Sequence, residues 1–343
     1  MKILLRRLIS LFLLGVLMFT FISACSSSVS QNATNPQQPS TECRVVQHTR
    51  GETCIPLNPK RIVTLDFNSL AVVLALNIKP IATWIPTEIE GDIRYVQEKA
   101  DGVEIFRSPV GQLNLEKLLS LKPDLIIVIS HPVFEDVYKY VSQIAPTVIL
   151  PWIETSANWK QYLKDVARVL ERTEVATQLL DDYYRRVEEL KQALSDRQQS
   201  IRISFVYVYT EKLYLARKKS FTGGILNDVG LLNLRFEDYP GGMSSAQTEI
   251  LISEEILPEI DSDILFIAPA QKDDNSVIKR LQQKPLWSKL KAVQNNQVYV
   301  VDLPVWRGLN ILAAHEILND LYKYLINTRY SFTNPATFPS QNC

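Results

Sequence analysis

Two glutamates in matching surroundings are the first residues of this 343-residue chain to suggest chemistry. The stretch NLEKLLSLKPDLIIVI carries Glu116, and ISEEILPEIDSDILFI carries Glu254 and Glu255. In each, a short amphipathic helix bearing the glutamate leads into an acidic turn (Pro123-Asp124, Ser262-Asp263) and then an apolar, β-rich run. Two carboxylates at matching points of two repeats raise the question of a shared role. Taken singly, each is also an ordinary solvated helix residue. Covalent and acid–base chemistry has less to work with. The chain holds three histidines, and no GxSxG, HExxH or phosphate-loop pattern occurs. FTGGIL has two glycines without the G-x-G-x-x-G spacing. His131, after LIIVIS, is a candidate metal or haem ligand, but the scarcity of histidine argues against a multi-histidine metal site. No catalytic centre is expected, and the surviving enzyme reading is an exported hydrolase.

Cysteines carry the next signal, four in all. MKILLRR is basic, LISLFLLGVLMFTF is apolar, and ISAC brings small residues up to Cys25. An apolar run this short is an export signal before it is a membrane span. Cys25 at the cleavage point looks like a bacterial lipobox, in which it is lipidated and becomes the first mature residue. The following SSSVSQNATNPQQPSTE cannot pack a core and suits a tether, and two or more acyl chains hold a protein on a bilayer without a spanning helix. Outside the cytoplasm disulfides are allowed. CRVVQHTRGETC reads as two short strands around a TRG turn, so Cys43 and Cys54 are expected to join. The alternative is a metal site using His48 between them, although C-x4-H-x5-C matches no usual zinc spacing. Cys343 is left over.

The elements that must position these residues follow from the apolar pattern. Hydrophobic residues make up 46% of the chain and charged ones 22%, enough for a substantial core, and the formal net charge is zero. A chain-wide basic surface for nucleic acid is absent. From Arg61 the runs RIVTLD, PIATWI, VEIF, LIIVIS and TVIL alternate with SLAVVLAL and LEKLLSL, which predicts parallel α/β layering. From Asn158 to about Arg197 strand signals stop, and two helices are expected. The second has Val175, Leu179, Tyr183, Val187, Leu190 and Leu194 at spacings of three and four. Then the α/β pattern restarts with RISFVYVYT, LYLAR, LRF, ILFIAP and VYVVD, and closes on ILAAHEILNDLYKYLI. The expected layout is a signal peptide over 1–24, a tether over 25–42, an N-terminal lobe over 43–157, a helical connection over 158–198, a C-terminal lobe over 199–330 and a tail over 331–343.

NPKRIVTLD, GQLNLEKLLSLKPDLIIV, ISEEILPEIDSDILFI and VYVVD…W…ILAAHEIL, in that order behind a lipobox, resemble the helical-backbone class of periplasmic binding proteins. That class serves ABC importers of ferric siderophores, vitamin B12 and haem. The opening CRVVQHTRGETCIPLNPKRIV resembles the iron–siderophore branch. The resemblance spans about residues 43–328. It implies two Rossmann-like α/β lobes joined by one long helix, with a ligand cleft between them and modest closure. It also implies that Glu116 and Glu255, or Glu254 in place of Glu255, dock on an arginine pocket of each subunit of a permease dimer. The implied protein is a monomer, lipid-anchored and facing the periplasm or cell exterior, that carries a ferric siderophore of hydroxamate or carboxylate type and keeps no permanent cofactor or metal. A haem-binding receptor of the same class is the alternative.

Ligands in open α/β sheets bind beyond the carboxyl ends of the strands. In the N-terminal lobe those ends carry Asp66–Phe67–Asn68, Trp84, Pro109–Val110, Ser130–His131 and Trp152. In the C-terminal lobe they carry Tyr209, Arg217, Ser244–Ser245, Ala268–Pro269 and Trp306–Arg307. Trp84, Tyr209, Arg217, Trp306 and Arg307 are the expected ligand contacts, since rings supply area and arginines supply charge and forked donors. The vitamin B12 branch has tryptophans where this chain has Val110, Glu249 and Ile129, which argues against a corrinoid.

Overall fold

In the computed structural model, residues 42–87, 94–109, 111–151, 158–195, 201–209, 212–231, 248–270 and 275–326 are described. Cys25 with its signal peptide and tether, Val110, Trp152, the LRF run, Ser244–Ser245 and Cys343 lie outside them.

The N-terminal lobe opens with a hairpin of β1 (Cys43–His48) and β2 (Gly51–Pro56). Cys43 and Cys54 form a disulfide with their Cα atoms 5.5 Å apart. The metal alternative fails here, because both sulfurs are bonded to each other and His48 is occupied. Its Nε2 lies 2.8 Å from Thr53 Oγ1, and its Nδ1 accepts the Arg50 N–H. Five parallel strands follow: β3 (Ile62–Thr64), β4 (Ala82–Pro86), β5 (Glu104–Ser108), β6 (Leu125–Ser130) and β7 (Thr147–Pro151), in the order β5-β4-β3-β6-β7. β3, β4 and β6 are buried almost throughout, as apolar runs covered on both faces must be. β7 ends the sheet. The hairpin covers that edge, with the Thr49 N–H on the Ile149 carbonyl and Thr53 Oγ1 on the Thr147 carbonyl, each at 3.1 Å. Helices α1 (Phe67–Ala75), α2 (Leu115–Ser120) and α3 (Pro132–Val141) alternate with these strands.

Helix α4 (Trp159–Val169) and the 22-residue α5 (Thr173–Leu194) make the connection. α5 runs roughly 33 Å at 1.5 Å per residue. Its fully buried stripe is Ala176, Leu180, Tyr183, Val187, Leu190 and Leu194, and the expected Val175 and Leu179 pack partly buried against the same cluster beside Ala176 and Leu180.

The C-terminal sheet contains β8 (Ile203–Tyr209), β9 (Lys212–Ala216), β10 (Glu249–Ile252), β11 (Ile264–Ala268) and β12 (Val298–Val300), in the order β10-β9-β8-β11-β12. β8, β11 and β12 are parallel, but β9 runs antiparallel to both β8 and β10. A purely parallel restart is impossible at this point. Only Thr210 and Glu211 separate β8 from β9, enough for a hairpin and far too few for a crossover. Helices α6 (Phe221–Val229), α7 (Asn275–Gln282), α8 (Lys291–Gln294), α9 (Leu303–Trp306) and α10 (Ile311–Leu321) complete the lobe.

The acidic turns of the repeated stretches do the same work in both lobes. Asp124 accepts the backbone N–H groups of Lys60 and Arg61 at 2.7 and 2.9 Å, just before β3. Asp263 accepts that of Arg202 at 2.7 Å, just before β8. Each aspartate therefore ties the second central strand to the first. The helices of the repeat differ: Glu116 is on α2, whereas Glu254–Ile260 is a 3-10 helix interrupted by Pro258, which has no backbone donor.

The lobes are not independent. One continuous hydrophobic cluster takes in Val63 and Ile127 of the first sheet, Phe266 and Trp306 of the second lobe, and the buried faces of α4, α5 and α10. A second cluster, with Val206, Leu265, Ile267 and Trp287, covers the other face of the C-terminal sheet. Polar contacts reinforce the connection: Tyr183 Oη donates to Asp228 Oδ2 at 2.8 Å, and the Lys160 ammonium meets the same oxygen.

Candidate functional site

A cleft of about 430 Å³ opens between the lobes, with both contributing walls. Asp66, Phe67 and Asn68 at the start of α1, Ile85–Pro86, Ile129, His131 and Phe134 form the N-terminal side. Tyr207, Tyr209, Tyr214, Glu249, Ala270 and the segment from Leu303 to Leu309, excluding Val305 and Trp306, form the other.

On the N-terminal wall the polar groups serve the scaffold. Asp66 caps α1: its carboxylate accepts the Ser69 N–H at 2.8 Å, the Ser69 hydroxyl at 2.5 Å and the Ile129 N–H at 3.0 Å. Burial pushes this carboxyl above the usual range, while the hydrogen bonds from Ser69 and Ile129 pull it back. Ser69 Oγ also meets Tyr162 Oη at 2.5 Å, so α1, β6 and α4 converge on one buried cap. His131 packs its ring edge-on to Phe134, and burial lowers its pKa, which favours the neutral imidazole.

The opposite wall is a phenolic platform carrying one ion pair. Tyr207 on β8 faces Tyr214 on β9 in register, and their rings stack at 5.1 Å with an interplanar angle of 10°. The Arg307 guanidinium lies over Tyr207, with Cζ 4.6 Å from the ring centroid, a favourable cation–π contact. Its Nη2 and Nε reach the same carboxylate oxygen of Glu249, at 3.0 and 3.2 Å. Burial raises the Tyr207 phenol well above its ordinary value; Arg307 opposes the shift and Glu249, which accepts a hydrogen bond from the phenol, adds to it. Arg307 is aimed by the turn that follows it. Gly308 has no room for a side chain, since a Cβ there would lie 2.3 Å from Ala313 Cβ. Leu309 then adopts a positive φ of 52°. Asn310 caps α10 by accepting the Ala313 N–H at 3.0 Å and donates to Tyr95 Oη at 2.9 Å, a hydrogen bond from one lobe to the other.

Of the five expected ligand contacts, the cleft contains Tyr209 and Arg307. Trp84 is fully buried, its indole N–H on Ser108 Oγ at 2.9 Å and its ring edge-on behind Phe134. Trp306 is also fully buried: its indole donates to Asp320 Oδ2 at 2.8 Å, and Phe266 and Phe205 pack on it at 4.5 and 5.0 Å. Trp84 sits on β4, where every residue is buried, and its neighbour Ile85 reaches the cleft wall from the same strand. Trp306 is the last residue of α9 and faces the core, while the C-cap Arg307 turns to the cleft. Arg217 is outside the cleft lining. It follows β9, which runs against β8 and so leaves the sheet at the end opposite Tyr209. Tyr207, Tyr214, Glu249 and Phe134 were missed. The signal for the first two was present in the alternation of VYVY, which places Tyr207 and Tyr209 on one face, and in a hairpin register that sets Tyr214 opposite Tyr207.

Glu116 and Glu255 are exposed, and neither makes a hydrogen bond or ion pair among the described residues. Glu254 differs, lying 2.7 Å from Lys284 Nζ and 3.8 Å from Arg280 Nε. Among the described residues no three His, Cys, Asp or Glu side chains gather as a metal site, and no helix is long and apolar enough to cross a membrane.

The sequence profile of the family described as periplasmic binding protein matches residues 62–304. The Fe(3+)-citrate-binding protein YfmC of Bacillus subtilis is 28% identical, over 92% of this chain and 98% of its own length. The iron(3+)-hydroxamate-binding protein YxeB of the same organism is 25% identical, over 84% and 87%. Staphylococcus aureus SirA, crystallised with staphyloferrin B, superposes with a TM-score of 0.66 at 25% identity, covering 82% of this chain and 98% of SirA.

Proposed function

The chain belongs to the periplasmic binding protein family, and on that premise we propose that it is the extracytoplasmic receptor of an ABC importer, anchored through lipid on Cys25. It captures a ferric siderophore between its lobes and delivers it to a permease dimer. The observation that carries this reading is the cleft itself, walled by both lobes and faced with Tyr207, Tyr209, Tyr214, Phe67 and Phe134 around one guanidinium. A siderophore already saturates the coordination of its iron. The receptor needs rings and hydrogen-bond donors for the outside of the complex and no metal ligands of its own. Binding without chemical change accords with this lining, in which the polar groups Asp66 and Glu249 are tied to their neighbours.

Docking through Glu116 and Glu255 is supported by their exposure and lack of local partners, and the pairing of Glu254 with Lys284 favours Glu255 over it. The shared hydrophobic cluster along α4, α5 and α10 supports modest closure, because a large hinge motion would have to open that cluster. Haem is the second reading, favoured by His131 on the cleft wall. Titration of the purified protein with ferric siderophores, followed by intrinsic fluorescence and native mass spectrometry, should give saturable one-to-one binding. Failure of hydroxamate and carboxylate complexes alike, with tight haem binding abolished by His131→Ala, would replace the siderophore reading by the haem one.

A further inference from the structure

The described lining of the cleft has very little net charge to offer. Its ionisable groups are Asp66, His131, three tyrosines, Glu249 and Arg307. Asp66 spends its carboxylate on Ser69 and on the Ile129 N–H. The single guanidinium is matched by Glu249, whose Oε1 accepts from both Nη2 and Nε. The phenol of Tyr207 hydrogen-bonds the same carboxylate, which fixes Glu249 from a second side. Stacking on Tyr207 holds the plane of Arg307. One edge of the guanidinium is therefore occupied, one face is covered, and the Nη1 edge makes no hydrogen bond among the described residues.

An open guanidinium edge accepts one carboxylate or one hydroxamate oxygen pair through parallel N–H···O bonds. A second negative charge on the same ligand would find no further cation among the described lining residues and would approach the Glu249 carboxylate. The remaining surface is aromatic and aliphatic, which suits the apolar arms of a chelate more than a shell of ionised oxygens.

We propose that Glu249 limits the charge the cleft accepts, so that its ligand is a ferric hydroxamate complex that is neutral or carries a single carboxylate, and not a polyanionic citrate or catecholate complex. This rests on the receptor reading above and narrows it. Glu249 acts as a positioning residue for Arg307 and as a repulsive element against the wrong ligand, the second half of specificity.

The test is a comparison of two probes, ferrichrome as a neutral trihydroxamate and ferric dicitrate as a polyanion. Both are titrated by fluorescence against wild type, Glu249→Gln and Glu249→Asp. Wild type is expected to prefer ferrichrome at least ten-fold. Glu249→Gln keeps the size of the side chain and removes the charge, and should narrow the preference about ten-fold, the scale of one partly screened charge–charge contact. Glu249→Asp keeps the charge and should keep most of the preference. A merely structural role would change both affinities together and leave their ratio alone. A wild-type preference for dicitrate, or an unchanged ratio in Glu249→Gln, overturns this inference and leaves the receptor reading standing. If neither complex binds wild type, this inference falls, and the haem titration above decides the receptor reading.

Discussion

Trp306 and Arg307 are neighbours in sequence, and their replacement should produce opposite phenotypes. Trp306 has no exposed surface, packs on Phe266 and Phe205, and hydrogen-bonds Asp320. Truncating a buried tryptophan to alanine costs about 3–5 kcal/mol. A domain of ordinary stability has about 5–15 kcal/mol in total, so Trp306→Ala should remove about a fifth of it or more. At a urea slope of about 3 kcal/mol per molar, the midpoint should fall by about 1–1.7 M. Trp306→Phe keeps a ring in the cluster and loses the indole donor, so its midpoint should fall by less than half as much while the variant stays folded enough to titrate. Arg307 is 43% exposed at its side chain and supports no core. Arg307→Ala should leave the unfolding free energy within about 0.5 kcal/mol of wild type. It should weaken ferric siderophore binding about ten-fold or more, because a charge-assisted hydrogen bond contributes roughly 1.5–3 kcal/mol. Urea unfolding followed by circular dichroism, run beside ligand titration, separates the two effects. Trp306→Phe with a wild-type midpoint and abolished binding would refute the reasoning, since it would put the indole at the ligand.

Glu116→Arg combined with Glu255→Arg should abolish siderophore uptake by cells while leaving ligand affinity nearly unchanged; Glu254→Ala should reduce uptake little, since its carboxylate serves Lys284 and Arg280. Replacing Cys43 and Cys54 together by serine removes a bridge across a sequence separation of 11 residues, and the urea midpoint should fall by the equivalent of about 3 kcal/mol in the loop-entropy model. Burial would raise the Asp263 carboxyl, but its bonds to Lys291 and the Arg202 N–H hold it below the ordinary value. A depressed folded-state pKa stabilises above the unfolded pKa and is lost as the pH falls through the folded one. Asp263→Asn should therefore lower the midpoint at pH 7, with the gap to wild type closing below about pH 4. Cys25→Ser should leave the protein unprocessed at that site and release or mislocalise it; normal processing with continued membrane attachment, seen by fractionation and mass spectrometry, would end the lipobox reading.

The N-terminal sheet was legible because β3, β4, β6 and β7 are short apolar runs, the form that burial on both faces imposes, with the more exposed β5 at one edge. The C-terminal sheet was legible in its strands but not in their directions. Direction there depends on a two-residue gap, Thr210–Glu211, that an apolar profile does not weigh. The same gap explains the errors at the site. Reading β9 as another parallel strand sends Arg217 to the cleft and hides Tyr214, which the hairpin register brings against Tyr207. The tryptophans were assigned by type, as large rings near strand ends, whereas both are packed in the core, Trp84 on a strand buried throughout and Trp306 on the inner side of α9. Glu249 was noticed only as a missing tryptophan. Its role depends on Arg307, 58 residues away, and no local pattern encodes that meeting.

The hairpin that covers β7 also sits where a mechanical load would enter. Under the proposed anchoring at Cys25, any pull on the chain upstream would arrive at Cys43. With the sulfur bridge closed, tension crosses from Cys43 to Cys54 and reaches the next residue, Ile55, which is fully buried in the main hydrophobic cluster. The intervening residues of β1 and β2 then bear none of the pull and stay zipped along the sheet edge. Without the bridge the same force would peel β1 from β2 one hydrogen bond at a time, and each step would uncover more of an edge strand on which another chain could pair.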